Sequence, residues 1–171
     1  EYAMSCLGRE RMFEHFSTAL NLPVALIRLN YACDLRYGVL VDIARKVWNG
    51  EPVDLGMAWF NTIWQGDANA YSLLALEMAS SPAAKLNLTG AATLRVREMA
   101  LRFGECFSKP VQFSGEEGAS ALLNDASSCF ERFGPPMMNE EELIEHVAAW
   151  ISKGGALLNK PTHFESRDGK F

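Results

Sequence analysis

Apolar residues recur at three- and four-residue spacing over positions 3–20, at Met4, Leu7, Met12, Phe13, Phe16 and Leu20. That spacing predicts a helix, and Asn21-Leu22-Pro23 ends it. Residues 24–30 (VALIRLN) form a short aliphatic run, which predicts a buried strand of the parallel type. Over 37–49 the helical period returns with Val39, Leu40, Ile43, Ala44 and Val47, closed by Asn49-Gly50. Residues 52–55 and 59–64 read as strands, and Asp67 as the cap of a helix reaching about residue 79. Ser80-Ser81-Pro82 breaks that helix. A strand is expected over 85–89, a helix over 96–107 with Met99, Ala100 and Phe103 inward, and a strand over 110–113. A short helix over 124–133 stops at Gly134-Pro135-Pro136. Asn139, with Glu142 three residues on, is a capping-box start. It opens an amphipathic helix through Leu143, Ile144, Val147, Ala148 and Ile151. Strands alternate with helices throughout, so the fold class is α/β. The tail, 160–171, is polar with no period.

With 171 residues the chain can bury a real core. Its net charge of −5 argues against nucleic acid and anionic membranes as partners. The longest apolar stretch, 22–41, is interrupted by Arg28, Asp34 and Arg36, so no membrane span is expected. The four cysteines, Cys6, Cys33, Cys106 and Cys129, are scattered. Reduced thiols in a cytoplasmic protein are the expectation, with neither a disulfide framework nor a metal site. His15, His146 and His163 share no ligand spacing, and Trp48, Trp59, Trp64 and Trp150 read as core or cleft aromatics. The chain has no Gly-x-Gly-x-x-Gly run, hence no phosphate-cradling turn of its own.

The chemistry is concentrated at the start. Tyr2, Ser5, Cys6 and Glu10 stand in a Tyr-x-x-Ser-Cys-x-x-x-Glu order on the first helix. This resembles the catalytic helix of the extended short-chain dehydrogenase/reductases, the NAD-dependent epimerase/dehydratase type, in which a lysine occupies the position of Cys6. The similarity continues through Arg28-Leu-Asn30 at the end of the first strand, residues 61–67 (NTIWQGD) and residues 86–90 (LNLTG). The loop after Arg28 reads Tyr31-Ala-Cys-Asp34 rather than the family's Tyr-Gly-Pro.

The resemblance implies a division at residue 50. Residues 1–50 would be the C-terminal edge of a Rossmann-like domain. Residues 51–171 would be a smaller mixed α/β substrate-binding domain with its tail. The larger part of the dinucleotide-binding domain is expected to lie outside this chain. NAD or NADP would serve the intact protein, with none expected to bind this chain by itself. The resemblance further implies Tyr2 as the proton-transfer group and Cys6 in the lysine's place. Asn30 and Tyr31 would lie against the cofactor, and Arg28, Trp64 and His163 against a small-molecule substrate. A homodimer would form through the first helix.

A lysine one turn from a tyrosine favours phenolate and brings a group that titrates near 10 towards working pH. A cysteine supplies no such charge. Arg9 shares a face with Tyr2 and Cys6 and is the alternative cation. Two readings follow: an epimerase, dehydratase or reductase acting on a sugar or related hydroxyl or carbonyl compound, or a catalytically degenerate relative that binds, regulates or scaffolds.

Overall fold

A computed structural model describes residues 1–166; positions 167–171 of the tail lie outside the described residues. The elements run α1 (Tyr2–Leu20), β1 (Ala25–Leu29), β2 (Ala32–Cys33), α2 (Val39–Asn49), β3 (Val53–Asp54), β4 (Trp59–Phe60), β5 (Ile63–Trp64) and α3 (Gln65–Leu74). A 3-10 turn, Ala75–Met78, follows, then β6 (Ala84–Leu88), β7 (Leu94–Arg95), α4 (Val96–Phe107), β8 (Phe113–Ser114), α5 (Ser127–Phe133) and α6 (Glu140–Ser152). The strands form four pairs. β1–β6, β2–β5 and β3–β8 are parallel, and β4–β7 is antiparallel. The β1–β6 register runs from Ala25 opposite Ala84 to Leu29 opposite Leu88. This is a mixed α/β fold with parallel strand pairs.

Local chemistry accounts for the helix ends. Asn21 takes the left-handed conformation (φ 52°), and its N–H returns to the carbonyls of Ser17 and Thr18. Asparagine tolerates that conformation, so α1 stops before Pro23 is reached. Gly50 (φ 72°) does the same for α2. At α6 the full capping box forms, with Asn139 Oδ1 accepting from the Glu142 N–H at 2.9 Å and the Glu142 carboxylate accepting from the Asn139 N–H.

Three sequence expectations are corrected. Residues 59–64 are two short strands in different pairs, because Asn61 and Thr62 turn their polar groups to neighbours instead of a ladder. Asn61 Nδ2 donates to the Asn124 carbonyl at 2.7 Å, and the Thr62 hydroxyl donates to the Tyr31 carbonyl. Asp67 does not cap α3, which begins two residues earlier; it sits buried in the first turn and accepts from the Met138 N–H at 3.0 Å. The first strand is not buried as expected: Ile27 and Leu29, which share one face, are exposed, and among the described residues β1 pairs on one edge alone, with β6.

The main core lies between α2, α4 and α6, with Leu40, Ile43, Phe103, Ile144 and Val147 nearly inaccessible and Phe60 and Phe164 beside them. A smaller cluster joins Ile63, Tyr71, Leu86, Leu88 and Cys129 beneath β6, α3 and α5. Burial pushes the Cys33 thiol up to about 12, so it is an inert core residue. The Tyr71 phenol, also pushed up to about 12 by burial, donates to the Gly134 carbonyl at 2.8 Å. No helix of the described residues is long and apolar enough to cross a membrane.

Candidate active site

α1 packs with its polar side inward. Cys6, Glu10, Glu14 and Ser17, at four- and three-residue steps, are the positions it covers, while Met4, Leu7, Met12, Phe13, Phe16 and Leu20 are exposed. The inward face is fixed by charge and hydrogen bonds. Arg28 on β1 grips the Glu10 carboxylate with both Nε, at 2.9 Å, and Nη2. Lys85 on β6 pairs with Glu14, which also holds Arg11 at 2.8 Å. The hydrogen bond from Arg28 holds the Glu10 carboxyl below the usual carboxylate range, and those from Lys85 and Arg11 do the same for Glu14. Ser17 Oγ closes the far end of the helix by donating to the Leu22 carbonyl at 2.8 Å. These polar links set the rotation of α1 against β1 and hence where its first turn points.

That first turn borders a cavity of about 570 Å³ between α1 and β1, lined by Tyr2, Cys6, Arg9, Glu10, Phe13 and residues 25–29. Tyr2, Cys6 and Arg9 form a row: the Tyr2 hydroxyl is hydrogen-bonded with the Cys6 thiol, and Arg9 Nη2 donates to Cys6 Sγ at 3.4 Å. The hydrogen bond with Cys6, then the charge of Cys6, push the Tyr2 phenol above its ordinary value. Arg9 pulls the other way, but more weakly. At neutral pH Tyr2 is therefore a phenol, ready to give a proton and poorly set to take one. Ser5 is spent locally, its Oγ donating to the Tyr2 carbonyl at 2.7 Å.

A second cavity, of about 400 Å³, opens beyond the carboxyl ends of β1 and β6 and is bordered by Asn61, Gly90, Thr93, Asn124, Asp125 and Phe130. This is where parallel sheets offer ligand crevices. Asn30 Nδ2 donates to Asn61 Oδ1 at 2.7 Å, and Asn124 Nδ2 donates to the Arg28 carbonyl at 3.0 Å. With the Asn61-to-Asn124 bond this makes a chain of amides that ties 124 to the end of β1. Gly90 admits no side chain, because a Cβ there would collide with the Thr62 carbonyl.

Among the residues singled out in the sequence, Tyr2, Cys6 and Arg28 share the first cavity, with the Arg28 charge committed to Glu10. Asn30 borders the amide chain instead, and Tyr31 (φ 41°) is half-buried, burial raising its phenol. Trp64 is half-buried on β5 against the main core. His163 (φ 54°) is exposed on the tail and lines neither cavity. Sequence reasoning passed over Asn61, Asn124 and Asp125. Their signal was polar residues placed where a strand and a helix were expected to continue. Among the described residues no three His, Cys, Asp or Glu side chains are grouped to hold a metal ion.

No protein-family model and no curated protein sequence matches the chain. Solved structures do. A UDP-glucose 4-epimerase of Thermus thermophilus in complex with NAD superposes with a TM-score of 0.66 at 16% identity, over 82% of this chain and 50% of that one. A UDP-glucuronic acid 4-epimerase of Bacillus cereus in complex with NAD gives 0.70 at 12% identity, over 86% and 50%. RMD of Pseudomonas aeruginosa, complexed with NADPH, gives 0.71 at 14%, over 89% and 56%. The chain spans about half the length of these structures, and at such identities the likeness is one of fold. The fold is that of about half of an NAD-dependent epimerase/dehydratase of the extended short-chain dehydrogenase type.

Proposed function

We propose that this chain is the substrate-side part of a longer NAD(P)-dependent epimerase, dehydratase or reductase acting on a sugar or related hydroxyl or carbonyl compound. The observation that carries the reading is the Tyr2–Cys6–Arg9 row. It is held by the Glu10–Arg28 grip at the rim of an open cavity, on a fold shared with dinucleotide-bound epimerases. Within this chain the first turn of α1 and the end of β1, which border the first cavity, would meet a dinucleotide at its nicotinamide side. The pyrophosphate cradle has no counterpart here. When bound, the nicotinamide supplies or removes hydride at the substrate carbon. Tyr2 moves the proton at the substrate oxygen, and Arg28 keeps the helix that carries Tyr2 in register.

The test is calorimetry and nicotinamide absorbance on the longer protein. NAD or NADP should bind in the micromolar range, and a carbonyl or hydroxyl substrate should change the absorbance at the reduced-nicotinamide band. Failure of both dinucleotides to bind removes the reading. A second reading has its own support: with Cys6 where the resemblance calls for lysine, and the phenol of Tyr2 raised, the site suits a protein that binds its ligand without turnover. Dinucleotide binding with no turnover of any substrate would select it.

The exposed apolar side of α1 fits a second copy of the same helix. Met4, Leu7, Met12, Phe13 and Phe16 are all exposed, and soluble proteins rarely leave so much apolar surface uncovered on one helix. Light scattering on the longer protein should give a dimer. Replacing Phe13 and Phe16 by serine should shift it towards monomer, and a concentration-independent monomer from the unaltered protein would count against this arrangement.

A further inference from the structure

Residues 115–126, between β8 and α5, carry no helix or strand, yet their last part walls the cavity beyond β1 and β6 through Leu123, Asn124 and Asp125. Side chains fasten the segment at both ends. At the far end Asn124 Nδ2 donates to the Arg28 carbonyl at 3.0 Å, and the Asn124 carbonyl accepts from Asn61 Nδ2 at 2.7 Å. At the near end the Glu117 carboxylate lies between two guanidiniums. Its Oε2 accepts from Arg95 Nη2 at 2.5 Å and its Oε1 from Arg97 Nε at 2.7 Å. Between the two ends Leu122 is exposed, and Leu123 beside it.

The two arginines are seated by more than Glu117. Arg95 lies over the Trp59 ring, 5.3 Å from its centroid, and Arg97 over the Phe113 ring at 4.5 Å. They stand at the start of α4, Arg95 at the cap position and Arg97 in the first turn, where the helix dipole also draws a carboxylate. Glu98, the other acid beside Arg95, is 3.6 Å away and mostly exposed. The hydrogen bonds from Arg95 and Arg97 hold the Glu117 carboxyl below its usual range, so it is ionised at neutral pH. Thr93, two residues before Arg95, lines the same cavity, which joins the arginine seat to the cavity wall. The chain around Glu117 is made to turn. Gly115 has φ 71°, a conformation that favours glycine, and the Gly118 N–H meets the Leu55 carbonyl at 3.4 Å, a long bond. Glu117, Arg95 and Arg97 each keep a quarter or more of their side-chain surface in water, and pairs so exposed are individually weak.

We infer that residues 115–126 form a flap that opens and closes this wall of the cavity, with Glu117 as its latch on the Arg95–Arg97 pair. With the latch made, the flap is held at both ends and Asn124 stays against Asn61. With the latch broken, the far end is left to the Asn124 amide bonds, and the segment swings from Gly115. The guanidiniums keep their places on the rings, so the latch re-forms without rebuilding its seat. The flap works in the same way in a protein that turns over nicotinamide and in one that only binds a ligand.

The test is hydrogen exchange and thiol labelling on the longer protein, read peptide by peptide by mass spectrometry. Glu117→Gln keeps the size of the side chain and removes its charge. Exchange over 118–125 should speed up about tenfold, the effect of losing a hydrogen bond to a charged group, while α4 and β6 keep their rates. Arg97→Gln, from the other side of the latch, should do the same, and the double variant should add little to either, because both break one interaction. Ala126 is buried and lines the cavity behind the flap. The thiol of Ala126→Cys should react with a methanethiosulfonate about tenfold faster when Glu117→Gln is also present. Unchanged exchange over 118–125 would overturn the latch, and so would faster exchange that stops at 118 and leaves 122–125 at the parental rate. Full additivity of the two single substitutions, or equal labelling of Ala126→Cys with and without Glu117→Gln, would overturn it as well.

Discussion

Replacing Cys6 by lysine should raise turnover in the longer protein by roughly 10²–10⁴-fold, the usual worth of a general acid–base term. Tyr2→Phe in the same background should remove the gain. Cys6 now raises the Tyr2 phenol, by hydrogen bond and by charge, and Arg9 only partly opposes it. A lysine at the same position would put an ammonium where the thiol sits and reverse the sign. The pH profile should move with it. With Cys6, alcohol oxidation, which needs a proton acceptor, should rise only towards the high pH at which the raised phenol ionises. With lysine that limb should shift to lower pH. Carbonyl reduction, which needs a donor, should be the less affected direction.

Arg9→Ala separates the remaining possibilities. If the guanidinium on Cys6 Sγ already serves as the cation, its loss should cost as much as Tyr2→Phe, and Cys6→Lys should add little. If all three substitutions leave turnover at background, the site binds without catalysing. Full activity in Tyr2→Phe would show that proton transfer runs through another group.

α2, α4 and α6 were legible because their apolar periods coincide with a surface they bury. α4 matches its expected limits, and α6 starts at the expected cap. α1 was legible as a helix and misleading as to packing. Its apolar residues face out, and the face that docks on β1 is made of Cys6, Glu10, Glu14 and Ser17. Apolar periodicity identified the helix but not the side by which this chain holds it. The two-residue strands β2 and β7 carry too few positions to show any alternation. On the site, the Tyr2–Cys6–Arg9 row follows from helical spacing alone. The Asn30–Asn61–Asn124 amides come from positions far apart in the chain, joined by strand pairing and a loop that no local pattern announces.

The tail was the least legible segment, and it carries a large stability prediction. Its residues are polar with no period, yet Phe164 is buried to 1% exposure beside Phe60, with ring centroids 6.2 Å apart. The residues around it strap the tail to α2. The Asp42 carboxylate accepts from the Thr162 N–H at 2.9 Å and from its hydroxyl at 2.7 Å, and Lys46 pairs with Glu165. Removing a buried phenylalanine costs its transfer free energy plus the cavity left behind, so Phe164→Ala should lower stability by about 3–5 kcal/mol. Thr162→Val, which deletes one hydrogen bond to Asp42 and keeps the shape, should cost about 1–3 kcal/mol, because it leaves a carboxylate oxygen with one donor fewer. Denaturant midpoints at unchanged m-value would measure both, and limited proteolysis should show the tail of Phe164→Ala cut faster than the rest of the chain. If Phe164→Ala unfolds at the same midpoint as the parent, the tail contributes no core, and the exposed His163 beside it has no fixed frame from which to reach a ligand.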